Sequence, residues 1–266
     1  QMLVIDNISK TFNRNTVNEK PLFSHLSLTI QQGEFVTIIG GNGAGKSTLL
    51  NIIAGALAAD EGQIILEGRD ITSQSEHERA RYMGRVFQDP LLGTSPNMTI
   101  EENLSLAFNR AQNTALKWGL SPKMRKLFCE TLAPLQLGLE KRLTTKVKFL
   151  SGGQRQALTL LMATLTKPKL LLLDEHCAAL DPNTAVQINT LTTRIINEHG
   201  ITTLMVTHNM EDAIRMGNRL IMLHEGEIIL DVRGIQKAQL TVGKLVALFK
   251  ELQGREFAYD QALLAP

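Results

Sequence analysis

Cysteine is nearly absent: Cys129 and Cys177 are the only two in 266 residues, which fits neither a disulfide framework nor a zinc site. No apolar run approaches the roughly 20 residues that span a bilayer; the longest candidates, Leu170–Leu173 and Leu158–Met162, have core-strand and core-helix lengths. The opening Gln1-Met2-Leu3-Val4-Ile5-Asp6 has no basic segment followed by an apolar one, so no secretory leader is expected there. Neither charge dominates. The 28 Lys and Arg stand against 26 Asp and Glu, a net +2, too balanced for a protein that grips nucleic acid by bulk electrostatics, and no nucleic-acid partner is expected. Repeats, low-complexity tracts and Pro/Gly-rich linkers are missing too. These absences predict a soluble chain kept in a reducing cytoplasm.

What remains is an ordinary globular composition, 43% hydrophobic and 20% charged. Short β-branched runs alternate with helical ones, which predicts an α/β fold. Strands are expected at Leu3–Ile8, Leu26–Ile30, Phe35–Ile39 and Ile64–Leu66, the first two antiparallel, then at 83–88. Apolar positions recur at helical spacing over 46–57, and helical patterns fill 99–110, 122–137 and 152–166 with no convincing strand between them. Strands return at 169–173, 202–206, 219–223 and 226–231, with a helix over about 183–198. An amphipathic helix is expected over 241–253, with a frayed end beyond it.

Gly40-Gly41-Asn42-Gly43-Ala44-Gly45-Lys46-Ser47-Thr48 matches the phosphate-loop pattern G-x-x-x-x-G-K-[ST], between a predicted strand and a predicted helix. Glycines let such a loop curl its N–H groups toward phosphate oxygens, and the helix start behind adds partial positive charge. Lys46 is placed to reach the β- and γ-phosphates, and the Ser47 hydroxyl to ligate Mg²⁺. A chance match is expected in on the order of 1% of chains this long. Lys169-Leu170-Leu171-Leu172-Leu173-Asp174-Glu175 reads as a strand buried on both faces that ends in two carboxylates. Asp174 is a candidate Mg²⁺ holder and Glu175 a candidate general base, against the plain alternative of a solvated acidic turn. Leu150-Ser151-Gly152-Gly153-Gln154 opens a helix with Ser151 as N-cap. Taken bare, it is either a second anion site or a capped helix with a flexible entry.

In this order and spacing, the phosphate loop, Leu-Ser-Gly-Gly-Gln and Leu-Leu-Leu-Leu-Asp-Glu resemble the ATP-binding cassette (ABC) ATPases, over nearly all of residues 2–232. The resemblance implies a P-loop NTPase core over 1–89 and 167–232, an antiparallel β subdomain, and a helical insertion over about 90–166. All lie in one domain of residues 1–240, with a short tail over 241–266. It implies ATP and Mg²⁺ as ligands, with Phe12 stacking on adenine and Gln88, at the end of its strand, sensing Mg²⁺ and the γ-phosphate. Ala178-Ala179-Leu180-Asp181 corresponds to the loop that crosses a dimer interface, and His208 to the switch histidine. It further implies that two copies close head to tail, Ser151, Gly152, Gly153 and Gln154 of each completing the other's ATP site. Many cassettes have Pro-Thr where this chain has His176-Cys177; both residues read best as structural, with a role for His176 in orienting Glu175 as the alternative. No catalytic group is missing, so a competent ATPase is expected.

Three uses of ATP compete. A soluble member acting on DNA is disfavoured because no heptad run separates Lys46 from Ser151. A ribosome-directed member carries two cassettes, and a small-molecule kinase lacks the signature. The ATPase subunit of a transporter is favoured, at the cytoplasmic face of the membrane against a separate integral permease; the cassette of an exporter is the alternative, though the resemblance implies import, since exporters of the family usually fuse cassette and membrane domain. Arg85, Pro90, Leu91, Leu92 and Pro96 are candidates for the groove that meets it, unless that apolar loop simply packs on its own core. Gly84–Pro90, Ser95–Leu104 and Asp174-Glu175-His176 are similar to a bacterial importer subgroup with branched-chain-amino-acid-type permeases, some linked to aromatic amino acids. An extracytoplasmic solute-binding protein is the indirect partner this implies.

Overall fold

The computed structural model describes residues 1–112 and 121–263, with side chains over 1–109 and 121–252. In chain order the first elements are β1 (Leu3–Phe12), β2 (Lys20–Ile30), β3 (Phe35–Gly40), α1 (Lys46–Ala54), β4 (Glu61–Leu66), β5 (Arg69–Asp70), α2 (Glu76–Arg79) and β6 (Met83–Val86). A helical stretch follows, α3 (Ile100–Gln112), α4 (Pro122–Leu132) and α5 (Gly152–Thr164). Last come β7 (Leu170–Asp174), α6 (Pro182–His199), β8 (Thr202–Val206), α7 (Met210–Arg215), β9 (Arg219–His224), β10 (Glu227–Arg233), α8 (Gly234–Ala238) and α9 (Val242–Leu263).

Two sheets result. The smaller is antiparallel, in the order β2-β1-β4-β5. The larger runs β10-β9-β3-β8-β7-β6, with β10 antiparallel and the rest parallel. The leucine run of β7 is continuous because both faces of this sheet are covered. Leu170 and Leu172 pack with α1 and the small sheet, whereas Leu171 and Leu173 pack with the helices α3 to α6. Ile39, Leu220 and Met222 form a third cluster with Leu245 of α9, against which Leu248 and Phe249 lie.

The boundaries differ from the periodic reading where local chemistry overrides it. The predicted helix 46–57 stops at Ala54 because Gly55 turns left-handed at φ 81°; Arg79 then takes the carbonyls of Ile52 and Ile53 at 2.8 and 2.7 Å. The predicted helix 122–137 gives way to a 3-10 turn at Ala133–Leu135, since Pro134 has no N–H for the helical ladder. The predicted strand 83–88 ends at Val86, where pairing with Leu173 ends. Gln88 therefore lies in the loop after the strand, not at its end. The tail helix runs to Leu263 rather than fraying after 253, since no proline interrupts residues 253–263; the predicted end beyond Leu263 lies outside the described residues. Four short elements, β5, α2, α7 and α8, went unforeseen.

Candidate active site

Four sequence segments far apart in the chain arrive at one edge of the large sheet. The neighbour order β3-β8-β7-β6 sets side by side the phosphate loop after Gly40, His208 after Val206, Asp174 with Glu175, and Gln88 after Val86. Ligands of such sheets collect at the carboxyl ends of the parallel strands.

The phosphate loop is held open by its glycines. Gly43 and Gly45 sit at φ 79° and 98°, and a Cβ on Gly45 would fall 2.7 Å from the Phe23 ring. A Cβ on Gly40 would fall 2.3 Å from the Leu223 carbonyl oxygen. Gly41, Asn42, Gly43 and Ser47 are exposed, Thr48 is half-buried, and Ala44 packs into the core. Lys46 is buried, and its Nζ donates to the carbonyls of Gly40 and Gly41, each at 2.9 Å. Burial pulls its pKa down, opposed by the charges of Glu175 and Asp174. Ser47 Oγ donates to Asp174 Oδ1 at 3.1 Å, so a hydroxyl and a carboxylate oxygen are already paired across the edge. Arg85 stands behind them, 3.8 Å from Asp174 Oδ2, bonded to Asn51 Oδ1 at 2.5 Å and stacked 4.5 Å over the Phe87 ring. This partner of Asp174 was foreseen only as part of a docking groove.

Glu175 is buried and left-handed at φ 48°. Its amide bonds the Val206 carbonyl of β8 at 2.9 Å, and its Oε1 lies 2.6 Å from Nε2 of the exposed His208. The next two residues turn away from the pair. His176 is buried with Nε2 3.1 Å from Thr192 Oγ1, and burial pushes its pKa down to about 4. Cys177 donates to Asn189 Oδ1 at 3.3 Å, and burial pushes its thiol up to about 12. Gln88 is exposed. Phe12 closes β1 with Lys10 Nζ 5.8 Å from its ring centroid.

The signature turn has the predicted cap. Ser151 Oγ accepts from the Gln154 amide at 3.2 Å while Gln154 Oε1 accepts from the Ser151 amide at 3.1 Å, a reciprocal capping box. Ser151 and Gly152 are exposed. The cavity of about 520 Å³ bordered by Ser151, Gly153 and Gln154 is otherwise lined by residues 134–137 and by α6, and by nothing from the phosphate loop. Asp181 caps α6 through the Thr184 amide at 3.0 Å, which holds its carboxyl below the usual range.

Residues 23–178, more than half of the chain, match the ABC transporter family. The chain belongs to the ATP-binding cassette ATPases. It is 50% identical over 249 residues to the tyrosine transport ATP-binding protein of Clostridioides difficile, covering 94% of this chain and 99% of that one. It is 37% identical over 232 residues to the spermidine/putrescine import ATP-binding protein PotA of Haemophilus influenzae, covering 86% of the cassette but 57% of that relative. Among solved structures it resembles the ADP conformation of MJ1267, an ATP-binding cassette of an ABC transporter, with a TM-score of 0.74 at 30% identity over 89% of this chain and 92% of that one. It also resembles the dimeric post-hydrolysis state of the cassette MJ0796 bound to ADP and Pi, with a TM-score of 0.72 at 29% identity over 87% and 98%. The cassette thus binds ATP and hydrolyses it as the ATPase subunit of an ABC transporter.

Proposed function

We propose that the cassette powers import of an aromatic amino acid or a similar small solute through a separate integral permease, from the cytoplasmic face of the membrane. One observation carries this reading: half of all positions agree with a tyrosine transport protein over nearly the full length of both chains. A solute-binding protein outside the membrane would choose the solute.

The donor set suits Mg²⁺. One carboxylate and one hydroxyl make no cage by themselves, and Mg²⁺ is the ion that completes its shell with water and substrate phosphates. Ser47 and Asp174 would hold it, with Gln88 from the neighbouring loop. When bound, the ion neutralises charge developing on the phosphate oxygens. The loop 40–48 wraps the phosphates, Lys46 exchanges its two backbone carbonyls for β- and γ-phosphate oxygens, and Phe12 faces the adenine. Glu175 takes the proton of the attacking water; its burial keeps bulk water from competing, and His208, hydrogen-bonded to it, contacts the γ-phosphate.

Ser151 supports the second half of the proposal, a head-to-tail dimer. Its oxygen accepts the Gln154 amide, so its own proton stays available to a phosphate. With Gly152, Gly153 and Gln154 it would complete the site of a second copy, with Asp181 in the loop between the two. Closure supplies positioning and charge stabilisation that one copy lacks. Glu175→Gln, which keeps the shape and removes the base, tests this. With Mg·ATP it should elute as a dimer and hydrolyse almost nothing; near-normal turnover would assign the base elsewhere, and a strict monomer would refute the sandwich.

A further inference from the structure

Helix α6 carries two polar side chains on its buried face. Asn189 and Thr192 are 3% and 0% exposed, in a row with Ile188, Leu191, Ile195 and Ile196. Each holds a loop that leads from the catalytic pair. Thr192 Oγ1 donates its proton to the Ile188 carbonyl at 2.8 Å and lies 3.1 Å from His176 Nε2. A hydroxyl has one proton, so His176 is the donor in that contact and is fixed as its Nε2–H form. Asn189 Oδ1 accepts from Cys177 Sγ at 3.3 Å, and its Nδ2 donates to Asp212 Oδ2 at 2.9 Å. Asp212 belongs to the first turn of α7, and its amide is capped at 3.1 Å by Asn209, the residue after His208.

Glu175 precedes His176 and sits at φ 48°. For a residue with a side chain, such a conformation is strained and persists only where the surroundings over-determine it. Two backbone hydrogen bonds hold part of this turn, from the Glu175 amide to the Val206 carbonyl and from the Ala178 amide to the Glu175 carbonyl, each at 2.9 Å. A cavity of about 650 Å³ opens beside the pair, lined by Glu175, Cys177, Asn189, His208 and Asp212 among others. The Cys177–Asn189 contact borders this opening, whereas the His176–Thr192 contact is buried.

We propose that Asn189 and Thr192 are positioning residues for ATP hydrolysis, tying 176–177 and 209–212 to one helix and so holding the Glu175 carboxylate opposite His208. This rests on Glu175 being the general base. The side-chain partners of both α6 residues are His176, Cys177, Asp212 and the Ile188 carbonyl, so both act through the backbone they fix.

The test compares Thr192→Val, Asn189→Ala and Thr192→Ser in the full chain, by steady-state ATP hydrolysis. Thr192→Val and Asn189→Ala should lower kcat about tenfold or more, since a misplacement of about 1 Å can cost about a hundredfold. The KM for ATP should stay within about twofold, because the phosphate loop is untouched. Thr192→Ser keeps the hydroxyl and should keep most of the rate. A full kcat in Thr192→Val and Asn189→Ala, a KM rising in step, or a serine variant as slow as the valine one would overturn the brace. Should one of the first two fail to fold, the other reads the brace. Glu175→Gln, assayed alongside, separates the two ideas. If it still turns over, the base assignment is wrong. If it stops while Thr192→Val runs normally, only the brace is.

Discussion

His176 occupies a position where a neutral ring is enforced. Burial pushes its pKa down to about 4 from 6.5. Between those values the unfolded chain binds a proton that the folded chain refuses, so stability rises with pH across the window and is lost as pH falls from about 6.5 toward 4. The loss from this one group is on the order of 3 kcal/mol. Urea melts at a series of pH values should show the slope, and His176→Gln, which does not titrate there, should flatten it. Lys46 tests binding rather than stability. Its two contacts at 2.9 Å to Gly40 and Gly41 show an ammonium with few competing partners. Removing a hydrogen bond to a charged group costs about 1.5–3 kcal/mol, so Lys46→Ala should weaken ATP binding roughly ten- to a hundredfold, read by calorimetry or a fluorescent nucleotide.

At the scale of elements, what was legible followed from periodicity and from backbone-dictated motifs. The leucines of β7 announced a doubly covered strand, and the glycines from 40 to 45 a curled loop. The Ser151 cap could be read from Ser followed three places on by Gln. Boundaries were less legible because single residues decide them: Gly55 ends α1, and Pro134 turns the end of α4 into a tighter helix. The partners of the catalytic loops were missed for another reason. Asn189 and Thr192 were visible as polar residues at core positions of α6, but their contacts to 177 and 176 arise only when β7 and α6 pack. The residues expected to meet the permease are placed as follows. Arg85 and Leu92 line a cavity of about 460 Å³ between the strand β6 and the helical layer, whereas Leu91, Pro90 and Pro96 do not. Leu91 and Leu92 are 43% and 69% exposed, more than an apolar loop packed on its own core would leave. Burying a charge in an apolar contact is costly, so Leu91→Asp/Leu92→Asp should abolish transport in the assembled transporter while leaving the ATPase of the isolated subunit intact. Normal transport by that variant would remove these residues from the interface.

For the whole molecule, no helix among the described residues is long and apolar enough to cross a membrane. In cells, loss of the cassette should abolish high-affinity uptake of one class of small solute. Labelled tyrosine, phenylalanine and tryptophan, with spermidine as the contrast, form the first panel to measure. Restoration by wild type but not by Glu175→Gln would tie that uptake to hydrolysis.

The strand β6 spans only Met83–Val86 and stands at the end of the sheet, bonded on one side to β7 alone. A margin strand is hydrogen-bonded on one side only, and this one leads through Gln88 toward the helical layer. A pull on that layer from outside should therefore reach the margin nearest the two acids before it reaches β3 and its phosphate cradle, which are flanked on both sides.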